Sequence, residues 1–145
     1  MKRRFATYLG TRSRMDEYLS NGLVINSRIR SFLRGEVLVS QLGMGTFRLH
    51  PSLKEHALTL KVALQSGINL IDTSSTYTYG GAEELIGTTL QELGGESIRN
   101  QYVLVTKAGY IQDVSYRNRS NVIKSSYSSP LFDRGMGLRR AVGNE

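Results

Sequence analysis

Ser66-Gly-Ile-Asn-Leu-Ile-Asp72-Thr-Ser-Ser-Thr-Tyr77 is the stretch on which the reading of this chain turns. Ile68 to Asp72 is a short apolar run closed by a carboxylate, the pattern of a strand buried on both faces. The Ser/Thr/Tyr/Gly segment that follows, as far as Gly81, reads as a loop. Gly67, just ahead of the run, stands where a left-handed residue would stop a preceding helix.

Upstream of Gly67 the apolar period is helical. Leu53, Ala57, Leu60 and Leu64 recur on one face, and Pro51-Ser52 opens the segment. Ser52 and Glu55 form an S-x-x-E pair, which predicts a capping box at the helix start. Before it, Val37 to Ser40 reads as a strand running into Leu42-Gly-Met-Gly-Thr-Phe47. Downstream of the loop a second helix begins near Ala82. Glu83 and Glu84 occupy its first turn, where the positive end of the helix dipole favours acids. Ile86, Leu90 and Leu93 give it an apolar stripe, Gly94-Gly95 ends it, and Gly87 inside it suggests close packing. Tyr102 to Val105 is a third strand, ending at Thr106-Lys107-Ala108-Gly109. Strand, helix, strand, helix, strand with short links predicts an α/β fold of right-handed parallel units.

The 145 residues suggest one domain by length, and three segments differ in character. Residues 1–36 are polar and basic with short apolar pieces, an N-terminal extension that could form a hairpin or lid. Residues 37–110 carry the alternating strands and helices. Residues 111–145 are rich in Ser and Arg without a clear period, and read as an irregular or disordered tail. The net charge of +7 is unevenly spread. Residues 1–34 hold eight Lys/Arg against two acids, residues 35–112 five against seven, and residues 113–145 six against three. Basic arms of this kind attract polyanions, yet no nucleic-acid motif accompanies them, so solvated flanks are the expectation.

Absence of cysteine excludes disulfides, thiol catalysis and thiolate metal sites. His50 and His56 are not at i, i+4 spacing, so no metal site is expected and both are read as solvated or locally bonded. No apolar run is long enough to span a membrane. Met1-Lys-Arg-Arg-Phe5 lacks the apolar region of a secretory signal. The arginines near the start are compatible with a mitochondrial presequence, but Asp16 and Glu17 oppose that, and a cytoplasmic location is the default.

Asp72 and Lys107 both fall at the C-terminal ends of predicted parallel strands, the edge where ligands bind and catalytic groups converge in such sheets. Tyr77 lies five residues beyond Asp72, on the loop leaving the same edge. A free phenol has a pKa of about 10, too high to shuttle protons well near neutrality. A neighbouring ammonium stabilises the phenolate and lowers that value, and a carboxylate keeps the ammonium charged. The residues alone leave plainer readings open: Asp72 as a turn former, Tyr77 as a loop filler, Lys107 as a solvated cation.

The same segments, taken in order, resemble the aldo-keto reductase family. Ile71-Asp-Thr-Ser-Ser-Thr-Tyr77 followed by Gly80-Gly-Ala-Glu-Glu-Leu-Ile-Gly87 is similar to the family's strand leading to its catalytic tyrosine and a "SEELLG" helix start. Leu42 to Phe47 resembles its first barrel strand, Ser66 to Ser74 its "GINFIDTA" stretch, and Val103 to Gly109 its strand with the catalytic lysine. The resemblance implies a partial (β/α)8 TIM barrel, its first three strands and two helices. It implies Asp72, Tyr77 and Lys107 as catalytic residues, with Tyr79 as a rival to Tyr77. It also implies Gly45, Thr46 and Asp72 at the cofactor, which would be NADP or NAD, and a small-molecule carbonyl or sugar substrate. Within the family, the Thr106 to Tyr110 run resembles the galactose-dehydrogenase-like branch. The family's fourth catalytic residue is a histidine on the next strand, and this chain has no histidine beyond His56. The expectation is a truncated form inactive by itself. The alternative is a non-catalytic interaction protein that associates through open sheet edges with a full-length reductase or another subunit.

Overall fold

The computed structural model describes residues 5–107. The described residues up to Thr106 belong to one compact unit, and Lys107 begins a second. The elements of the first are α1 (Tyr8–Ser20), β1 (Ile29–Phe32), β2 (Val37–Ser40), β3 (Met44–Gly45), α2 (Lys54–Gln65), β4 (Leu70–Asp72), α3 (Gly81–Leu93) and β5 (Val103–Val105), joined in places by short 3-10 turns.

Strands β3, β4 and β5 form a parallel sheet in that order, with Met44 opposite Ile71, Gly45 opposite Asp72, and Leu70, Ile71 and Asp72 opposite Val103, Leu104 and Val105. Side chains alternate across a strand, and β4 shows both destinations. Ile71 is fully buried in a core with Leu60 and Leu64 of α2, Leu85, Ile86 and Leu90 of α3, and Tyr102. Leu70 points the other way and packs on Val37, Val39 and Val103. Asp72 shares the Leu70 face, at the opposite end of the strand. Three parallel strands with both helices on one face make up part of a (β/α)8 barrel, and no closed barrel exists among the described residues.

Both helices form where the apolar spacing predicts, but α2 runs from Lys54, which leaves Leu53 of the predicted face outside the helix and exposed. The helix begins after Leu53, which makes no side-chain cap bond. Ser52 instead places its Oγ 2.8 Å from His50 Nδ1, so the expected Ser52–Glu55 capping box is not formed. A polar partner two residues back competes with the backbone for the same hydroxyl. At the other end Ser66 caps α2 and Gly67 takes φ +107, as expected of a residue after a helix; a Cβ there would meet Val24 and the Leu23 carbonyl.

The basic N-terminal region is more ordered than its composition suggests. Helix α1 starts at Thr7, whose Oγ1 accepts from the Gly10 N–H at 3.1 Å. It buries Thr11, Met15 and Tyr18 on one face, and two ion pairs, Arg12–Asp16 and Arg14–Glu17, lie along it. The expected hairpin is present, but its second strand is β2, paired antiparallel with Ile29 opposite Ser40 and Phe32 opposite Val37. The boundary drawn between residues 36 and 37 therefore falls inside the hairpin turn. The boundary after residue 110, and the irregular tail, lie outside the described residues.

Asn69, fully buried directly ahead of β4, fixes where the hairpin sits. Its Oδ1 accepts from the Ser40 N–H at 2.9 Å, and its Nδ2 donates to the carbonyls of Leu38 (3.0 Å) and Gln101 (3.3 Å). The hairpin thus closes the N-terminal ends of β4 and β5, where Val37 and Val39 need burial. It is a floor beneath the sheet, at the end opposite Asp72, and does not act as a lid over it.

Candidate active site

At the C-terminal edge of the sheet, Gly45, Asp72 and Val105 stand in one cross-strand row. In register, parallel neighbours face the same side, so all three belong to the Leu70 face, now above the hairpin floor. Gly45 is exposed, and a Cβ built on it meets nothing within 4 Å. Thr46 is fully buried beside it, with its N–H and its Oγ1 both donating to the Asp72 carbonyl at 3.1 and 3.0 Å. That pair of bonds carries the β3–β4 pairing past the end of the strands. On the other flank the Thr73 N–H donates to the Val105 carbonyl at 2.8 Å.

Beyond Asp72 the chain turns on itself. The Thr76 N–H donates to Ser74 Oγ at 3.3 Å, and the Tyr77 N–H to the Ser74 carbonyl at 3.0 Å. Thr78 (φ 49°, ψ 37°), Tyr79 (φ 58°, ψ 40°) and Gly80 (φ 90°) then form a left-handed turn. Each L-residue held there costs roughly 1–2 kcal/mol, and for a β-branched threonine the position is an outlier. Contacts with the loop between β3 and α2 offset that cost. Tyr77 meets the Phe47 ring edge to face with centroids 5.1 Å apart. Thr78 Oγ1 donates to the Leu49 carbonyl at 2.9 Å. Gly81 abuts Pro51, whose Cδ would lie 2.7 Å from any added Cβ.

Tyr77 and its rival Tyr79 therefore differ in surroundings. Tyr77 is half-buried against Phe47, whereas Tyr79 is 71% exposed. Lys107 follows β5 by two residues and is exposed. Sequence reading overlooked Phe47 and Thr78. Phe47 carried a weak signal, an aromatic directly after the Gly-Thr pair. Thr78 carried none, because threonine does not announce a positive φ.

A cavity of about 580 Å³ lies elsewhere. Its lining includes Glu83, Ile86, Gly87 and Leu90 of α3 together with Arg99 and Leu104. Leu104 points away from the Asp72 face, so this groove is on the outer side of the sheet. Gly87 opens into it, and a Cβ there meets nothing within 4 Å. The close packing expected at Gly87 is absent because no element covers that side among the described residues. His50 and His56 are locally bonded, His56 Nδ1 accepting from the His50 N–H at 2.9 Å. The described residues hold no group of three or more His, Cys, Asp or Glu arranged to bind a metal ion. None of their helices is long and apolar enough to cross a membrane.

A parallel β/α layer with a carboxylate, a glycine and a clasped tyrosine loop at its C-terminal edge defines a class of proteins that bind ligands at that edge. Residues 41–129 match the model of the aldo/keto reductase family, more than half of the chain, and the chain belongs to that family. The match runs past Tyr110 into the segment whose composition had set it apart. The aldo-keto reductase YhdN of Bacillus subtilis is 30% identical over 100 residues, 62% of this chain and 29% of the relative. The uncharacterized oxidoreductase YqkF of the same organism is 30% identical over 82 residues, 57% of this chain and 25% of the relative. Among solved structures, aldo-keto reductase AKR11C1 from Bacillus halodurans, in its holo form, superimposes with a TM-score of 0.52 at 23% identity. That superposition covers 67% of this chain and 34% of the other, and shows the fold. The glycerol dehydrogenase AKR11B4 of Gluconobacter oxydans gives 0.51 at 26% identity, over 61% and 28% of the two chains. The chain thus spans a quarter to three tenths of the length of these curated relatives.

Proposed function

We propose that the C-terminal edge of this sheet is the site of an NAD(P)H-dependent oxidoreductase that interconverts a carbonyl and an alcohol. The observation that carries the reading is the row Gly45–Asp72 with the Tyr77 loop directly above it, in a chain of the aldo/keto reductase family. NADP or NAD, when bound, supplies or takes up the hydride at the carbonyl carbon. The open, side-chain-free surface at Gly45 suits the flat nicotinamide end, with Thr46 behind it. Tyr77 acts as general acid, passing its phenolic proton to the carbonyl oxygen as the hydride reaches carbon. The Lys107 ammonium favours the phenolate and so lowers the barrier to that transfer, and the Asp72 carboxylate keeps the lysine charged. The substrate is a small carbonyl compound or sugar.

The 145-residue chain is inactive by itself on this reading. It has no histidine after His56, and an eight-unit barrel takes about 250 residues. A full-length reductase carrying these motifs tests the roles. Changing its counterpart of Tyr77 to Phe should lower carbonyl reduction by about 10²–10⁴-fold, the usual worth of a general acid, while cofactor binding persists. Retained turnover would make Tyr79, or neither tyrosine, the acid.

A second reading is favoured by the uncovered groove along α3 and β5 and by Leu58 and Val62, both exposed one turn apart on α2. Here the chain is a non-catalytic partner that associates with a full-length reductase or another subunit. Stable hetero-oligomers in gel filtration support it, and a chain that elutes unchanged beside a full-length reductase removes that partner.

A further inference from the structure

We propose that Thr78 is a positioning residue for Tyr77, holding the phenol in place through a clasp between the turn after β4 and the loop after β3. The inference rests on Tyr77 being the general acid for its catalytic meaning, but its geometry stands apart from that assignment.

Three contacts join the two segments in chain order. Phe47 meets the Tyr77 ring, the Leu49 carbonyl accepts from Thr78, and Pro51 lies against Gly81. The middle one is the only hydrogen bond of the three, and it is made by the residue with the least reason to be there. Thr78 is β-branched, at φ 49°, where glycine or asparagine is the ordinary choice. A residue in this conformation persists only where its surroundings over-determine it. Its hydroxyl does so. It sits 2.9 Å from the Leu49 carbonyl and 2.8 Å from the Tyr77 carbonyl, and its single proton serves one of them at a time.

The consequence is directional. Tyr77 is the residue immediately before the left-handed turn, so the dihedral angles at Thr78 decide how the Tyr77 peptide is tethered to Leu49. The Phe47 ring then meets a tyrosine already aimed at it, and Phe47 itself is 64% exposed. Without the hydroxyl, the Leu49 carbonyl loses this donor and the turn loses one of the three contacts that offset its strain. Tyr77 then swings away from Phe47 toward the exposure seen at Tyr79.

The test is nuclear magnetic resonance of the purified chain with labelled aromatic rings, Tyr77 being assigned by its loss in Tyr77→Phe. The wild-type chain should show cross-peaks between the Phe47 and Tyr77 rings. Thr78→Val keeps the shape and removes the hydroxyl, and should lose those cross-peaks. Thr78→Ser restores the hydroxyl and should keep them. The buried rings of Tyr18 and Tyr102 report whether the fold survives. If Thr78→Val disturbs them, Thr78→Gly decides the matter, since glycine accepts the left-handed angle and should fold with the cross-peaks gone. Cross-peaks that persist in the folded Val or Gly variant, or that vanish in Thr78→Ser, overturn the proposal. Loss of the cross-peaks as expected, together with a Tyr77 that proves dispensable for carbonyl reduction, would uphold the clasp and remove only the acid assignment.

Discussion

Two glycines in helices show how far a single methyl group depends on its neighbours. At Gly10 an added Cβ would run into the backbone carbonyl of Asn100, which also accepts from the Thr7 N–H at 3.1 Å. Gly10→Ala must push α1 off the turn before β5, and should cost about 1–3 kcal/mol as overpacking does. At Gly87 the same methyl meets open space. Gly87→Ala should therefore stabilise the chain by roughly 0.5–1 kcal/mol, through helix propensity alone. Urea denaturation of both variants checks the pair, and a destabilised Gly87→Ala would mean that something covers the groove in solution. From sequence the two glycines look alike, and the reading that assigned close packing to Gly87 had the wrong one. Asn69 was equally silent. It lies unremarked inside the run from Ile68 to Asp72, and its value comes from three backbone partners that lie 29 to 32 residues away.

At the scale of elements, the βαβαβ layer was legible because its signals are local. The runs at Ile68–Asp72 and Tyr102–Val105 and the stripe of α2 need no knowledge of distant residues. The first helix was not legible. Its buried face is built from Thr11, Met15 and Tyr18, while Leu9 is exposed, so its apolar residues do not mark its stripe. Polar bonds hold it instead. Thr11 Oγ1 accepts from the Leu38 N–H at 2.9 Å, and Tyr18 donates to the Leu64 carbonyl at 2.5 Å. Arg14 lies over the rings of both Tyr18 and Tyr102, 5.4 and 5.0 Å from their centroids. Burial, and then the neighbouring Tyr102, push the Tyr18 phenol well above the ordinary tyrosine range; burial likewise raises Tyr102. The unfolded chain releases these protons near pH 10, and the folded chain keeps them to higher pH. The folded state then binds more protons than the unfolded one, so stability from this pair is whole below about pH 10 and falls as pH rises beyond it. Urea midpoints measured on either side of pH 10 should drop, and Tyr18→Phe should flatten the drop. A midpoint that is constant through that range would contradict the burial of these phenols.

For the whole molecule, family and fold class are settled by more than half of the chain, while the chain spans a quarter to three tenths of the length of the curated relatives it matches. The described sheet has two open edges, β3 and β5, and its helix layer carries an uncovered groove on the β5 side. Open edges invite pairing, which is why association and catalysis are separate questions here. The candidate catalytic groups were legible because motifs arrive in order along the chain. The clasp that holds Tyr77 was not, since it depends on backbone angles at Thr78 and on a loop 29 residues earlier. The measurement that bears most directly on the account is titration of the purified 145-residue chain with NADPH, followed by fluorescence quenching. A chain that carries the proposed Gly45–Thr46 nicotinamide surface but spans only a quarter to three tenths of its relatives should show no saturable binding at micromolar concentrations. Micromolar affinity would contradict the account and make the isolated chain a cofactor-binding protein in its own right.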